Sequence, residues 1–164
     1  MSNYIGLDLD GTILNYTAHY AYPEIRTNEA LLEMLPPHAD IVIISNQGGL
    51  PTNHITAPHV ARRIHRACQF LEDAGHSVLW SYFSTFHPRA SERQAAYAGK
   101  NLRRALEKVF DESFWSVFTT ERSRKPAPYM LKLTEIEAYY GDSPEDEQAA
   151  KAAGIPFVSV KRFE

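Results

Sequence analysis

Short runs of apolar residues alternate with amphipathic segments along the whole chain. The apolar runs predict strands at about residues 4–9, 41–44, 78–83, 114–119, 135–140 and 156–160. Ile41-Val42-Ile43-Ile44 is typical of a strand buried on both faces, because it is continuous and β-branched. The amphipathic segments predict helices at about 27–35, 57–74, 91–110 with an interruption at Gly99, 125–133 and 144–153. This alternation predicts an α/β fold in which helices cover both faces of a parallel sheet.

The composition narrows the class of protein. A length of 164 residues fits one domain, 1–164, with residues 86–112 as a candidate small insert and residues 11–23 as a loop or hairpin. A net charge of -3 gives no general attraction to nucleic acid or anionic membranes. Cys68 is the single cysteine, which excludes an internal disulfide framework and a cysteine-based zinc site. We expect a cytoplasmic protein without a membrane segment or an obligatory protein partner, because no signal peptide or long apolar stretch is visible.

Two carboxylates, Asp8 and Asp10, follow the first predicted strand in the sequence Asp8-Leu9-Asp10-Gly11-Thr12. Residues two apart on a strand point to the same side, so the pair would be costly without a cation nearby. A hard divalent ion such as Mg²⁺ takes oxygen ligands and meets that need. The pattern therefore indicates a carboxylate nucleophile beside a metal, with a second carboxylate to move protons. A strand-end turn with solvated acids is the plainer alternative.

Two further motifs carry groups suited to phosphate binding. Ser45-Asn46-Gln47-Gly48-Gly49 offers a hydroxyl, amides and backbone N–H groups directly after the second strand. Arg124-Lys125-Pro126 precedes a predicted helix, where a lysine and the helix N-terminus could offset phosphate charge. Each has an ordinary alternative, respectively a polar loop and a solvated surface lysine.

A second acidic pair, Asp142 and Asp146, lies in Gly141-Asp142-Ser143-Pro144-Glu145-Asp146 after the strand at 135–140. A spacing of four residues at the start of a helix allows both carboxylates to face one ion. Asp and Ser are also common helix caps, so this segment could simply begin the helix. Parallel strands bind ligands beyond their carboxyl ends, and all four motifs fall there.

Taken together, these motifs resemble those of a known family. The resemblance rests on Asp8-Leu9-Asp10-Gly11-Thr12, Ser45-Asn46, Lys125-Pro126 and Gly141-Asp142-Ser143-x-x-Asp146, and it covers residues 4 to about 160. They are similar to the four motifs of the haloacid dehalogenase-like (HAD) phosphohydrolases. Within that family, Ser45-Asn46-Gln47 and Arg124-Lys125-Pro126 most resemble the branch of polynucleotide 3'-phosphatases, histidinol phosphatases and heptose bisphosphate phosphatases. The resemblance implies a Rossmann-like three-layer fold, and we expect the strand order 5-4-1-2-3. Members of the family carry inserted cap domains, but the segment between Asp10 and the second strand is too short for a full cap, and the segment between Ser45 and Lys125 is too short for a second domain.

The resemblance also implies roles for individual residues. Asp8 would be the nucleophile that forms an aspartyl-phosphate, and Asp10 would be the general acid and base. Ser45, Asn46, Arg124 and Lys125 would bind the transferring phosphate. Mg²⁺ would be held by Asp8, the Asp10 backbone carbonyl and Asp142, with Asp146 as a ligand or a neighbour of the ligands.

The sequence leaves the substrate open. Basic residues between Arg89 and Lys108, with Tyr20 and Tyr22, favour a 3'-phosphorylated nucleic-acid end by a small margin. The alternative is a small substrate such as a sugar bisphosphate or histidinol phosphate. A phospho-receiver signalling domain is a non-enzyme alternative, although its acidic residues come from different strands.

Overall fold

The computed structural model describes residues 4–16 and 24–164 and contains one parallel sheet. Its strands are β1 (Tyr4–Leu7), β2 (Asp40–Asn46), β3 (Ser77–Ser84), β4 (Trp115–Phe118), β5 (Ile136–Gly141) and β6 (Phe157–Ser159). They lie in the order β4-β3-β2-β1-β5-β6, and every neighbouring pair is parallel. The predicted α/β class is therefore confirmed.

The predicted order 5-4-1-2-3 describes five of the six strands. When β4 is left out of the count, the remaining strands β6, β5, β1, β2 and β3 follow that order. The difference is β4, which the five-strand order omitted and which pairs with β3 at the edge of the sheet. Its segment was predicted as a short strand, so the sheet is extended by one strand and not rearranged.

Helices cover both faces of the sheet, as the alternation of apolar segments predicted. The helices are α1 (Glu29–Met34), α2 (Ala57–Asp73), α3 (Glu92–Val109) and α4 (Pro144–Ala153). Side chains of β2 alternate between two cores: Ile41 and Ile43 pack with residues of α1, α2 and α3, whereas Val42 and Ile44 pack with residues of α4. Within the described ranges, no helix has the length and apolar character needed to cross a membrane.

Two helix predictions are wrong in detail. Helix α3 runs through Gly99 without interruption, because a side chain there would collide with Thr119 and glycine lets the helix approach the sheet. The predicted helix at 125–133 is only a short 3-10 turn, Tyr129–Lys132, since Pro126 and Pro128 remove backbone donors from the segment. Lys125 therefore does not stand at a helix N-terminus. Of the predicted loop at 11–23, residues 17–23 lie outside the described part of the chain.

The parallel arrangement brings the chemical motifs to one edge of the sheet. Leu7 pairs with Ile43 of β2 and Tyr140 of β5, so the residues that follow these positions end at nearly the same level. Asp8 comes directly after β1, and Asp142 comes directly after β5. The carboxyl ends of the strands thus form the floor of a cleft, as expected for sheets of this kind.

Candidate active site

A cleft of about 270 Å³ lies at the carboxyl ends of the strands. The structure brings seven of the eight sequence-predicted site residues to its walls: Asp8, Asp10, Asn46, Arg124, Lys125, Asp142 and Asp146. The eighth, Ser45, is buried beneath them. Residues that are up to 138 positions apart in the sequence therefore meet at one place.

Lys125 joins the two acidic motifs. Its Nζ donates to Asp8 Oδ1 at 2.9 Å and to Asp146 Oδ1 at 2.6 Å. Nζ also lies 2.7 Å from the Tyr139 hydroxyl and 3.1 Å from the carbonyl oxygen of Ile44, so its three N–H groups are shared among four acceptors. Because Lys125 is buried, these charged partners are what keep its ammonium group in the site.

The titration of this cluster follows from burial and charge. Burial, followed by the charge of Asp146, raises the pKa of Asp8 well above its usual range, and Lys125 offsets this only in part. Although burial would lower it, the pKa of Lys125 is raised because Asp146 and Asp8 favour the ammonium form. Burial also disfavours ionised Asp146, but its pair with Lys125 outweighs this and lowers the pKa of that carboxyl. The ammonium form of Lys125 is thus favoured by its two carboxylate partners, and a further cation beside Asp8 would favour the ionised form of that carboxyl.

Asp8, Asp142 and Asp146 form a group that could hold a metal ion. One oxygen from each lies within 4.8 Å of the others, and carboxylate oxygens are the ligands preferred by Mg²⁺. The oxygens of Asp142 accept from Thr12 Oγ1 at 3.2 Å and from Arg162 Nε at 2.7 Å. Three carboxyl groups in one place make the donor set suitable for a hard divalent cation, whose charge would favour the ionised form of Asp8 that burial disfavours.

Asp146 differs from the other two carboxylates because each of its oxygens accepts two or more hydrogen bonds from the protein. Oδ1 accepts from Lys125 and Tyr139, while Oδ2 accepts from Ser143 Oγ at 2.9 Å. Ser143 in turn caps α4 through the Asp146 N–H. Gly141 leaves room for this arrangement, since a side chain there would overlap Asp146. These contacts suit Asp146 to orienting Lys125, and leave Asp8 and Asp142 better placed as ligands.

Asp10 has its own buried cation, Arg63 of α2. Nη2 and Nε of Arg63 lie 2.8 and 3.2 Å from Asp10 Oδ1. Gln47 donates from Nε2 to Asp10 Oδ2 at 3.1 Å and to Ser45 Oγ at 2.9 Å. The side chain of Asp10 is 21 % exposed, so it faces the cleft while being held from behind.

Three of the residues predicted to bind phosphate, Asn46, Arg124 and Ser45, are hydrogen-bonded to other parts of the protein. Asn46 bonds both the N–H and the carbonyl of Lys125, at 3.0 Å each, and so fixes the lysine backbone. Arg124 donates from Nη1 to the carbonyl of Phe86 at 3.0 Å, and burial lowers its pKa. Ser45 lies below the cleft wall and accepts from Gln47. Direct contact with phosphate stays a prediction for these three residues.

Sequence reasoning missed Arg63, Tyr139, Arg162 and the contact made by Thr12. A signal existed for Arg63, because it is a charged residue three positions after Val60 and four before Ala67, on the buried stripe of an amphipathic helix. Arg162 lies in the C-terminal segment, where Phe163 pairs with the backbone of Gly11 and Tyr16. No local pattern marks that long-range pairing.

Comparison with solved structures shows which fold this is. D,D-heptose 1,7-bisphosphate phosphatase from B. bronchiseptica, complexed with magnesium and phosphate, is similar over 98% of this chain and 82% of its own, with TM-score 0.64 and 18% identity. A Mesorhizobium loti protein provisionally named a HAD-like phosphatase is similar over 94% and 69%, with TM-score 0.61 and 20% identity. The chain has the fold of these two proteins. No protein-family model and no curated protein matches the sequence, so the HAD-like motifs and the site geometry carry the argument from fold to function.

Proposed function

We propose that the protein is a Mg²⁺-dependent phosphomonoester hydrolase that works through a phosphorylated Asp8. The observation that carries this proposal is the placement of Asp8 in the cleft wall, beside a buried lysine and two further carboxylates. A phosphoryl group needs a nucleophile, charge neutralisation and a proton carrier, and little other covalent chemistry. Asp8, Lys125 and Asp10 supply these three functions.

The reaction proceeds in two displacements. In the first, an Asp8 oxygen forms a bond to phosphorus while the bond from phosphorus to the leaving oxygen breaks, and Asp10 gives that oxygen a proton. In the second, Asp10 takes a proton from water as the water oxygen attacks phosphorus. The bond between Asp8 and phosphorus then breaks, which releases inorganic phosphate and restores both carboxyl groups.

Lys125 and the candidate metal ligands supply positive charge to the transferring group. Lys125 keeps its proton and lies against Asp8, so it can stabilise the negative charge of the phosphoryl oxygens. Asp8 and Asp142 would hold Mg²⁺, which supplies further positive charge when bound. The Asp10 backbone carbonyl stays a predicted third ligand, and Asp146 serves through its bond to Lys125.

Within this proposal, the cleft favours a small phosphorylated substrate over a polynucleotide end. Its volume of about 270 Å³ fits a small molecule, and Arg124, Arg162 and Tyr16 stand at its wall. The basic residues of α3 are elsewhere: as far as the structure is described, no residue of α3 lines the cleft. One of them, Arg103, is bonded to the carbonyl of Val117. The heptose bisphosphate phosphatase of similar fold supports a small substrate of the same chemical class.

A substrate panel tests the proposal. Phosphate release is measured with Mg²⁺ for sugar bisphosphates, sugar monophosphates, histidinol phosphate, mononucleotides and a 3'-phosphorylated oligonucleotide. We expect turnover of one of the small phosphates, with the oligonucleotide cleaved more slowly. A clear preference for the oligonucleotide would overturn the proposed substrate class but not the chemistry. Stable phosphorylation of Asp8 without turnover would overturn the enzyme and favour a phospho-receiver.

A further inference from the structure

Arg63 is an unusually placed charged residue. It lies on α2, is 1% exposed, and points its guanidinium group at Asp10 from outside all four sequence motifs. Nε and Nη2 of Arg63 both donate to Oδ1 of Asp10, and Nη2 also donates to the carbonyl of Asn15 at 2.7 Å. A buried arginine costs free energy unless it is fully paired, so a specific reason is needed for its presence.

The two oxygens of Asp10 have different environments. Oδ1 receives two N–H groups from Arg63, which use both of its lone pairs. Oδ2 receives one N–H group, from Gln47, and keeps one position for a proton or a second hydrogen bond. The side chain borders the cleft, so that remaining position is available to a reacting group there.

We propose that Arg63 is a positioning residue that holds Asp10 by Oδ1, so that Oδ2, supported by Gln47, is the oxygen that exchanges the proton. This inference rests on the proposed function. Planar guanidinium groups fix a carboxylate more rigidly than a single donor does. A proton carrier must be within hydrogen-bond reach of the leaving oxygen, so a fixed orientation contributes directly to the first displacement.

The plain alternative is that Arg63 only stabilises the fold, by joining α2 to the segment at Asn15. The two roles differ in their dependence on the leaving group. An acidic leaving alcohol departs without protonation, whereas a weakly acidic one needs the proton from Asp10. Loss of Arg63 should therefore affect poor leaving groups selectively, and a general structural defect should affect all substrates equally.

The test is a series of substituted phenyl phosphates of similar size, from para-nitrophenyl to para-methoxyphenyl phosphate. We compare kcat/KM, which reports the steps up to release of the alcohol and is independent of hydrolysis of phosphorylated Asp8. For Arg63→Met we expect a loss of about 10²-fold on the least acidic leaving group, the size typical of a misplaced reacting group. On para-nitrophenyl phosphate we expect a loss within about threefold, because protonation contributes little there.

Three variants give the reference points. Asp10→Asn should show the same trend more steeply, and Gln47→Leu should show it more weakly. Arg62→Met is the matched control, because Arg62 is the adjacent residue of α2, is exposed, and lies outside the site. It should leave the whole series unchanged. If Arg63→Met does not fold, Arg63→Lys keeps a buried cation with one ammonium group and should show the same trend at smaller amplitude.

The outcomes separate the inference from the proposed function. An equal loss across the series for the Arg63 variant, or no loss at all, would overturn the positioning role. The wild-type protein serves as the test of function, since it must hydrolyse para-nitrophenyl phosphate with Mg²⁺ while Asp8→Asn does not. Failure of that comparison would refute the phosphatase itself. A selective loss on poor leaving groups supports both.

Discussion

The two aspartates that follow β1 are held by two different buried cations. Lys125 pairs with Asp8 and with Asp146, whose side chains are 10% and 1% exposed, whereas Arg63 pairs with Asp10, whose side chain is 21% exposed. The first cation therefore balances two carboxylates inside the protein, and the second holds one carboxylate that faces the cleft. We therefore expect the two sets to have different roles. Lys125, with Asp8 and Asp146, would stabilise negative charge on the phosphoryl group, and Arg63 would orient Asp10 for proton transfer.

The largest effect should come from removing Lys125. Lys125→Met leaves Asp8 and Asp146 buried without their cation, so we expect a loss of about 3–5 kcal/mol in the free energy of unfolding. Arg63→Met should lose less, because solvent reaches Asp10. Urea unfolding of both variants checks the order. A greater loss for Arg63→Met would mean that Asp10 depends on its cation more than the buried Asp8 and Asp146 do.

The effect of Lys125→Met on activity should also be large. Removing a group that stabilises charge in the transition state typically lowers kcat by about 10²–10³-fold. In contrast to Arg63→Met, we expect this loss to be similar for good and poor leaving groups, since charge on the phosphoryl oxygens is present in every case. A loss confined to poor leaving groups would mean that Lys125 acts in proton transfer and would contradict its role in stabilising charge.

Metal binding should depend on the carboxylates near Lys125 and not on the side chain of Asp10. Asp142→Asn removes a candidate ligand, so we expect the affinity for Mg²⁺ to fall by at least about tenfold. Asp10→Asn keeps its backbone carbonyl and should bind Mg²⁺ nearly as well as the wild type. Titration calorimetry without substrate measures both affinities. Equal losses in the two variants would mean that the side chain of Asp10 also binds the metal. An unchanged affinity in Asp142→Asn would mean that Asp142 is not a ligand.

The smallest effect should come from Tyr139. Its single O–H is shared between the carbonyl oxygen of Ile44 at 3.0 Å and Oδ1 of Asp146 at 3.1 Å, and its oxygen accepts from Lys125. Tyr139→Phe removes these bonds but keeps the ion pairs, so we expect the free energy of unfolding to fall by about 1–3 kcal/mol. Thermal unfolding beside the wild type measures this loss. No loss would mean that the carboxylates and the carbonyl of Ile44 hold Lys125 without a contribution from Tyr139.

The parallel sheet and the acidic site could be predicted from the sequence because short local patterns determine them. The apolar run of β2 and the aspartates after β1 and β5 mark strand ends, and parallel strands end at one edge. Arg63 was missed because its partner is 53 residues away, and its only local signal is a charge on an apolar stripe. Asn46 was predicted to bind phosphate, yet its amide reaches the backbone of Lys125, a contact that depends on the path of a distant segment.

The proposed function depends above all on Asp8 as the nucleophile of a Mg²⁺-dependent phosphatase. The most direct measurement is phosphate release by the wild-type protein beside Asp8→Asn, with Mg²⁺ and with the metal removed by a chelator. We expect turnover by the wild type only with Mg²⁺, and release at the level of the uncatalysed reaction for a folded Asp8→Asn. Near-normal turnover by Asp8→Asn would refute Asp8 as the nucleophile, and full activity of the wild type without the metal would refute the dependence on Mg²⁺.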